Sequence, residues 1–196
     1  MEGKEGKEKK EKGRKIVIVI SGEPGAGSTT VAREVAKRLH LDFFSPGHVQ
    51  KGFSKEKKES IAALLRVKTK EGSGKEFHNN LDKYQIEVAK KGNVVICGKL
   101  SAHFLKKYAS LTAWLDVSPE VRAKRTAGRD NMSYDESLKS IAERAEIDRK
   151  SWAKIYGFNY HDQKKEADLV IDTSEMSIDE TVKKILDEMR NRKIAE

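Results

Sequence analysis

The run Lys15–Ile20, KIVIVI, passes directly into Ser21–Thr30, SGEPGAGSTT, and this junction constrains the chain more than any other feature. A continuous β-branched run reads as a strand apolar on both faces, as strands in the interior of a parallel sheet are. Glycines then interrupt it. Beyond them Val31, Val35 and Leu39 fall four apart, with Ala32 and Ala36 beside them, which gives a helix one apolar face. Strand, glycine turn and helix, in that order, point to an α/β fold.

Gly22 and Gly27 have the spacing of the phosphate loop G-x-x-x-x-G-K-[ST], and Thr29 stands at its hydroxyl position. Such a loop turns its N–H groups inward at an anion, and the positive end of the following helix adds to the field. Gly22, Glu23, Pro24, Gly25, Ala26, Gly27, Ser28, Thr29 and Thr30 are therefore expected to form a nucleotide cradle. The N–H groups of residues 25–30 would face the phosphates of ATP, and Thr29 would hold Mg²⁺. Ser28 stands where a lysine is usual, so positive charge must come from elsewhere. Residues 121–129, VRAKRTAGR, are the expected source. Arg122, Arg125 and Arg129 recur at spacings of three and four, which puts them on one side of a helix. Guanidinium groups also match phosphate geometry better than ammonium. Two roles stand open for Arg122: catalysis, or pairing with Glu120 or another surface acid.

The rest of the chain continues the pattern. Strands are expected at Asp42–Ser45, Asn93–Cys97, Leu111–Val117 and Asp168–Asp172, and a helix over 76–91. Ser118-Pro119 opens another helix, with serine as cap and proline in the first turn. Ser133 with Glu136, and Ser177 with Glu180, form capping boxes, the first for a helix running to about Tyr156 with Leu138, Ile141, Ala142 and Ala145 on one face. Strands alternating with helices imply a parallel sheet covered on both sides. One domain is expected over residues 15–196. Residues 1–14 lack large apolar side chains after Met1 and are expected to form a disordered, solubilising tail.

The formal net charge of +9 favours anionic partners, although acids are interspersed almost everywhere. No series of aromatic residues among basic ones marks a nucleic-acid surface. No run is long enough to span a membrane, and no signal peptide is expected. Cys97 is the single cysteine, which suits a reducing cytoplasm, and it reads as a buried apolar residue. Trp114 reads as core, and Trp152 as packing or as cover for the edge of the site, packing being the simpler account. Asp116 reads as a cap rather than a metal neighbour. The five histidines show no paired metal spacing.

Several segments together resemble the archaeal-type cytidylate kinases, a branch of the P-loop nucleoside monophosphate kinases. The resemblance spans about residues 15–190. The family loop typically reads GPPGSGTTT and already lacks the lysine. SPGHVQK resembles its acceptor-site segment, with Lys51 where the family has arginine. LDKYQIEVAKKGNVVICGKL matches at Asp82 and Gln85, with Cys97 in place of a strand-end glutamate and Lys99 in place of an arginine. AWLDVSPEVRAKR matches closely, and ERAEIDRKSWAKIYG brings Arg144, Arg149, Tyr156 and Gly157.

The resemblance implies a five-stranded parallel sheet in the order 2-3-1-4-5 with a mobile lid, a monomer, and transfer of phosphate from ATP to CMP, with dCMP as second acceptor. Lys51, Gly98, Lys99 and Arg144 would bind the acceptor, and Asp82 would orient it. Arg125, Arg129 and Arg149 would fold over the γ-phosphate. Arg144 has a second reading, an intrahelical pair with Asp148. Two alternatives stand beside the cytidylate reading: a kinase for AMP, UMP or another acceptor, and a nucleotide-binding regulatory or RNA-associated protein without turnover.

Overall fold

The computed structural model describes residues 15–51 and 74–194, with side chains left out at 49–51. The expected tail and the side chain of Lys51 lie outside that description. Five strands form one sheet: β1 (Val17–Gly22), β2 (Asp42–Phe44), β3 (Val94–Cys97), β4 (Leu111–Asp116) and β5 (Leu169–Asp172). Their order is β2-β3-β1-β4-β5, and every pairing is parallel. The helices are α1 (Ser28–Arg38), α2 (Pro46–Lys51), α3 (Lys75–Lys91), α4 (Ser101–Leu105), α5 (Pro119–Asp130), α6 (Tyr134–Tyr156), α7 (Gln163–Glu166) and α8 (Ile178–Asn191), with a 3₁₀ turn at Tyr160–Asp162.

β1 lies at the centre, and all six of its residues are buried. Its side chains alternate between two cores. Ile18 and Ile20 pack with Val95, Leu111, Leu115 and the inner faces of α1 and α8. Val17 and Val19 pack with Ile96, Ala89, Ala102 and Leu105 on the other side. Each fully buried aliphatic side chain contributes about 1.5–3 kcal/mol, so the double-sided burial of β1 explains why its sequence is apolar without alternation.

The helix ends follow the local chemistry. Ser133 Oγ accepts from the Glu136 N–H at 3.2 Å while the Ser133 N–H donates to Glu136 Oε2 at 3.0 Å. Ser177 and Glu180 repeat this reciprocal cap on α8, and Ser118 caps α5. α5 and α6 are joined by three residues, Asn131 to Ser133, and Asn131 takes a left-handed conformation at φ 49°. The two helices thus form a helical hairpin.

The inner face of α6 differs from the expected apolar stripe. Its buried residues are Ser137, Ser140, Ile141, Asp148 and Trp152, whereas Ala142 is exposed. The reason is position: α6 lies along α5 rather than on the sheet core, and Ser137 Oγ donates to the Ala123 carbonyl at 2.8 Å. Small hydroxyl residues let the two helices approach closely.

Candidate active site

The phosphate loop is the direct continuation of the central strand. Gly25 and Gly27 have φ of 84° and 83°, where side chains are disfavoured. A Cβ at Gly25 would come within 2.9 Å of the Arg122 carbonyl and Thr126 Oγ1, so α5 backs directly onto the loop. At Gly27 a Cβ would meet nothing within 4 Å, which marks the open side of the turn.

Gly27 is also the N-cap of α1 and offers no side-chain cap. The N–H groups of Ala26 and Thr30 are spent inside the loop, on the carbonyls of Glu23 and Gly27. That narrows the cradle expected over residues 25–30. The N–H groups of Gly25, Gly27, Ser28 and Thr29 make no such bond among the described residues. Those of Gly27, Ser28 and Thr29 lie at the N-terminus of α1, where its dipole is most positive.

Thr29 Oγ1 lies 3.8 Å from Cys97 Sγ at the end of β3. A hard cation such as Mg²⁺ takes oxygen ligands and keeps several waters, so one hydroxyl is enough from the protein when phosphates supply the rest. The donor set here fits that arrangement. No group of three or more His, Cys, Asp or Glu residues is gathered for a metal among the described residues. Asp116 accepts from Lys164 Nζ at 2.7 Å, and Ser118, not Asp116, caps the next helix.

A cleft open to solvent lies beside the loop. Its lining includes Asp82, Gly98, Lys99, Arg144, Asp148 and Trp152. Ser21 Oγ donates to the Gly98 carbonyl at 2.7 Å and so ties the loop to the cleft wall. A side chain at Gly98 would overlap Ser101 Oγ.

Lys99 forms an ion pair with Asp148, and its ammonium lies 5.3 Å from the centre of the Trp152 ring. Burial, then the positive Arg144 nearby, pushes the Lys99 ammonium down to about 8, against the pull of Asp148. Arg144 Nε sits 3.7 Å from Asp148 Oδ2, so the intrahelical pair exists, and the same carboxylate serves both cations.

Asp82 is held on both oxygens. Gln85 Nε2 donates to Oδ1 at 2.8 Å, and the Tyr156 hydroxyl donates to Oδ2. Ser101 Oγ donates to Gln85 Oε1 at 2.7 Å and fixes the amide's orientation. Burial raises the Asp82 carboxyl above its ordinary value, and the two hydrogen bonds oppose that shift. Burial, reinforced by Asp82, pushes the Tyr156 hydroxyl up, so it stays a donor.

The arginines separate. Arg122 is buried and points back to the loop: its NH1 is 2.5 Å from Glu23 Oε2, and Glu120 is not its partner. Arg125 donates to the carbonyls of Thr173, at 2.6 Å, and Ala26, at 3.5 Å, and so braces the loop against the chain beyond β5. Arg129 is 44% exposed and pairs with Asp130. Arg149 is 48% exposed and makes a bidentate pair with Glu146. Neither Arg129 nor Arg149 lines the cleft. The geometry brings Arg122, Lys99 and Arg144 to the loop and cleft, and leaves Arg129 and Arg149 on outer faces.

Sequence reasoning gave Asp148 a role only as a partner of Arg144. It also gave Glu23 no contact to Arg122; Trp152, read as packing or as cover for the site edge, is buried and lines the cleft. Trp114 and Cys97 are buried, as the sequence suggested.

A family model described as the cytidylate kinase-like family matches residues 17–175. A cytidylate kinase of Pyrobaculum calidifontis is 40% identical over 172 residues, covering 88% of this chain and 91% of that protein. A cytidylate kinase of Ignicoccus hospitalis is 37% identical over 173 residues, covering 87% and 98%. Among solved structures, shikimate kinase from Bacteroides thetaiotaomicron superposes with a TM-score of 0.59 at 20% identity, over 90% of this chain and 99% of that one. That last likeness concerns the fold alone.

Proposed function

From the premise that the chain belongs to the cytidylate kinase-like family, we propose that it transfers the γ-phosphoryl group of ATP to CMP, with dCMP as a second acceptor. The observation that carries this reading is the tie between loop and cleft: open N–H groups at the start of α1 adjoin a cleft holding Lys99 and Arg144.

Phosphoryl transfer asks the protein mainly for positioning and charge neutralisation. The N–H groups of Gly25, Gly27, Ser28 and Thr29 hold the donor phosphates. Thr29 would hold Mg²⁺, which neutralises the β- and γ-oxygens when bound. Lys99 and Arg144 take the acceptor phosphate, with Lys51 as a further cation from α2. Asp82, fixed by Gln85 and Tyr156, orients the acceptor.

Arg122 keeps a buried Nε without a partner, and Arg144 Nε has the 3.7 Å ion pair with Asp148 but no hydrogen bond. Those donors suit the charge that spreads over the transferring group. Arg125 acts in this scheme by holding the loop. Arg129 and Arg149 join the site only through movement of the α5–α6 hairpin. No general base is required, because the acceptor oxygen is already ionised.

ADP release with ATP and Mg²⁺ against CMP, dCMP, UMP and AMP tests the proposal. Turnover selective for CMP and dCMP is expected. ATP binding with no turnover on any acceptor refutes it and favours a regulatory protein.

A further inference from the structure

We propose that Glu23 is an internal counter-ion of the phosphate loop, holding Arg122 when the loop is empty and displaced from it when donor phosphates bind. This rests on reading the loop as a polyphosphate site and adds a device that sets its affinity.

Glu23 is an acid in the middle of a loop whose expected ligand is an anion. Both its oxygens are engaged, by cation-forming groups from two other elements. Oε2 is 2.5 Å from Arg122 NH1 on α5, and Oε1 is 3.0 Å from His161 Nδ1 in the 3₁₀ turn. Arg122 NH1 also reaches the Pro24 carbonyl at 3.4 Å, so the guanidinium is anchored along the loop. Its Nε has no partner.

The hydroxyls of Thr126, Ser140 and Tyr160 are buried and likewise unpartnered, and Tyr160 lies within the electrostatic reach of Glu23 and Arg122. With Arg122 Nε, these are donors from α5, α6 and the turn that have no acceptor among the described residues. A phosphoryl group supplies that acceptor.

The exchange follows from charge and exposure. A guanidinium grips phosphate by two N–H groups at once, which a single edge shared with a carboxylate prevents. Holding Glu23 and a phosphate on the same Arg122 nitrogen would set two anions against each other. The Glu23 side chain is 22% exposed and has room to swing out, whereas that of Arg122 is 10% exposed and does not. Asp148 also neutralises site cations, but at 3% exposure it has no such exit.

The test is Glu23→Gln, titrated calorimetrically with tripolyphosphate and with ATP, alongside thermal midpoints of the empty and saturated proteins. Both ligands are expected to bind E23Q about fivefold more tightly, the size of one partly screened charge contact. The empty variant should melt below the empty wild type, and saturation should close the gap. Equal or weaker binding to a folded E23Q overturns the proposal. Should E23Q fail to fold, Glu23→Asp withdraws the carboxylate by one methylene; tighter binding is expected there too, and unchanged binding overturns it. If neither wild type nor variant binds any polyphosphate, the loop reading itself has failed and this device with it. Binding by wild type with no gain in the variant removes the counter-ion alone.

Discussion

Lys99 offers the sharpest quantitative test of the acceptor site. Its ammonium is buried beside Arg144 and titrates at about 8, well below the ordinary 10.5. If only the protonated form binds the acceptor phosphate, the apparent KM for the acceptor scales as one plus the ratio of neutral to protonated lysine. That ratio is roughly 0.1 at pH 7, about 1 at pH 8 and about 10 at pH 9. Acceptor KM should therefore rise roughly tenfold from pH 7 to pH 9, while the phosphate itself, with a second ionisation near about 6, stays fully charged. Lys99→Arg replaces this group with one that does not titrate in the range. Initial rates of ADP release at saturating ATP, over a series of CMP concentrations at pH 7, 8 and 9, give the two profiles. The variant should be flat. An equal rise in wild type and K99R would show that Lys99 does not carry the dependence and does not hold the phosphate.

The same shift has a sign in stability: the unfolded chain keeps the Lys99 proton up to about 10.5 while the folded chain loses it near 8, so stability rises with pH between those values. Chemical denaturation of wild type and K99R across that window should show this slope in the wild type only. Gly27→Val places a β-branched side chain at φ 83° and a Cβ on the open side of the loop; nucleotide binding should be lost in calorimetry, and unchanged affinity would remove the loop from the mechanism. Tyr156→Phe leaves Asp82 without one of its two donors and should raise acceptor KM severalfold while ATP affinity holds, with about 1–3 kcal/mol lost in denaturant unfolding. Ser133→Ala breaks the reciprocal cap at the start of α6 and should cost about 1 kcal/mol in the same assay without changing KM.

The fold was legible because its signals are local. β1 is apolar on both faces, and Ser133, Ser177 and Ser118 announce helix starts from their own sequence neighbourhood. Strand ends moved by a residue or two: Ser45 and Val117 fall just outside their strands. The loop was legible for the same reason, since Gly22, Gly27 and Thr29 encode their geometry in spacing alone.

The arginines were not. Arg122 and Arg129 do share one azimuth of α5, but seven residues are about 10 Å along the axis. One therefore meets the loop and the other lies near the hairpin tip. Their partners, Glu23 and Asp130, and the Thr173 carbonyl that captures Arg125, are set by tertiary packing. Helical spacing carries no signal for these contacts. Asp148 was visible only as an i+4 neighbour, because its second cation, Lys99, comes from 49 residues away.

The two halves of the site are anchored differently, and they should come apart at different temperatures. The loop emerges from β1, the most enclosed strand, whose buried and ladder-bonded amides exchange with solvent only when the whole sheet opens. The cleft wall instead draws Asp82 from α3, Lys99 from the chain after β3, and Arg144 and Asp148 from α6, a helix whose buried face includes Ser137, Ser140 and Asp148. Under gentle heating, deuterium should enter α6 first, and a protein still able to hold the donor would already have released the acceptor.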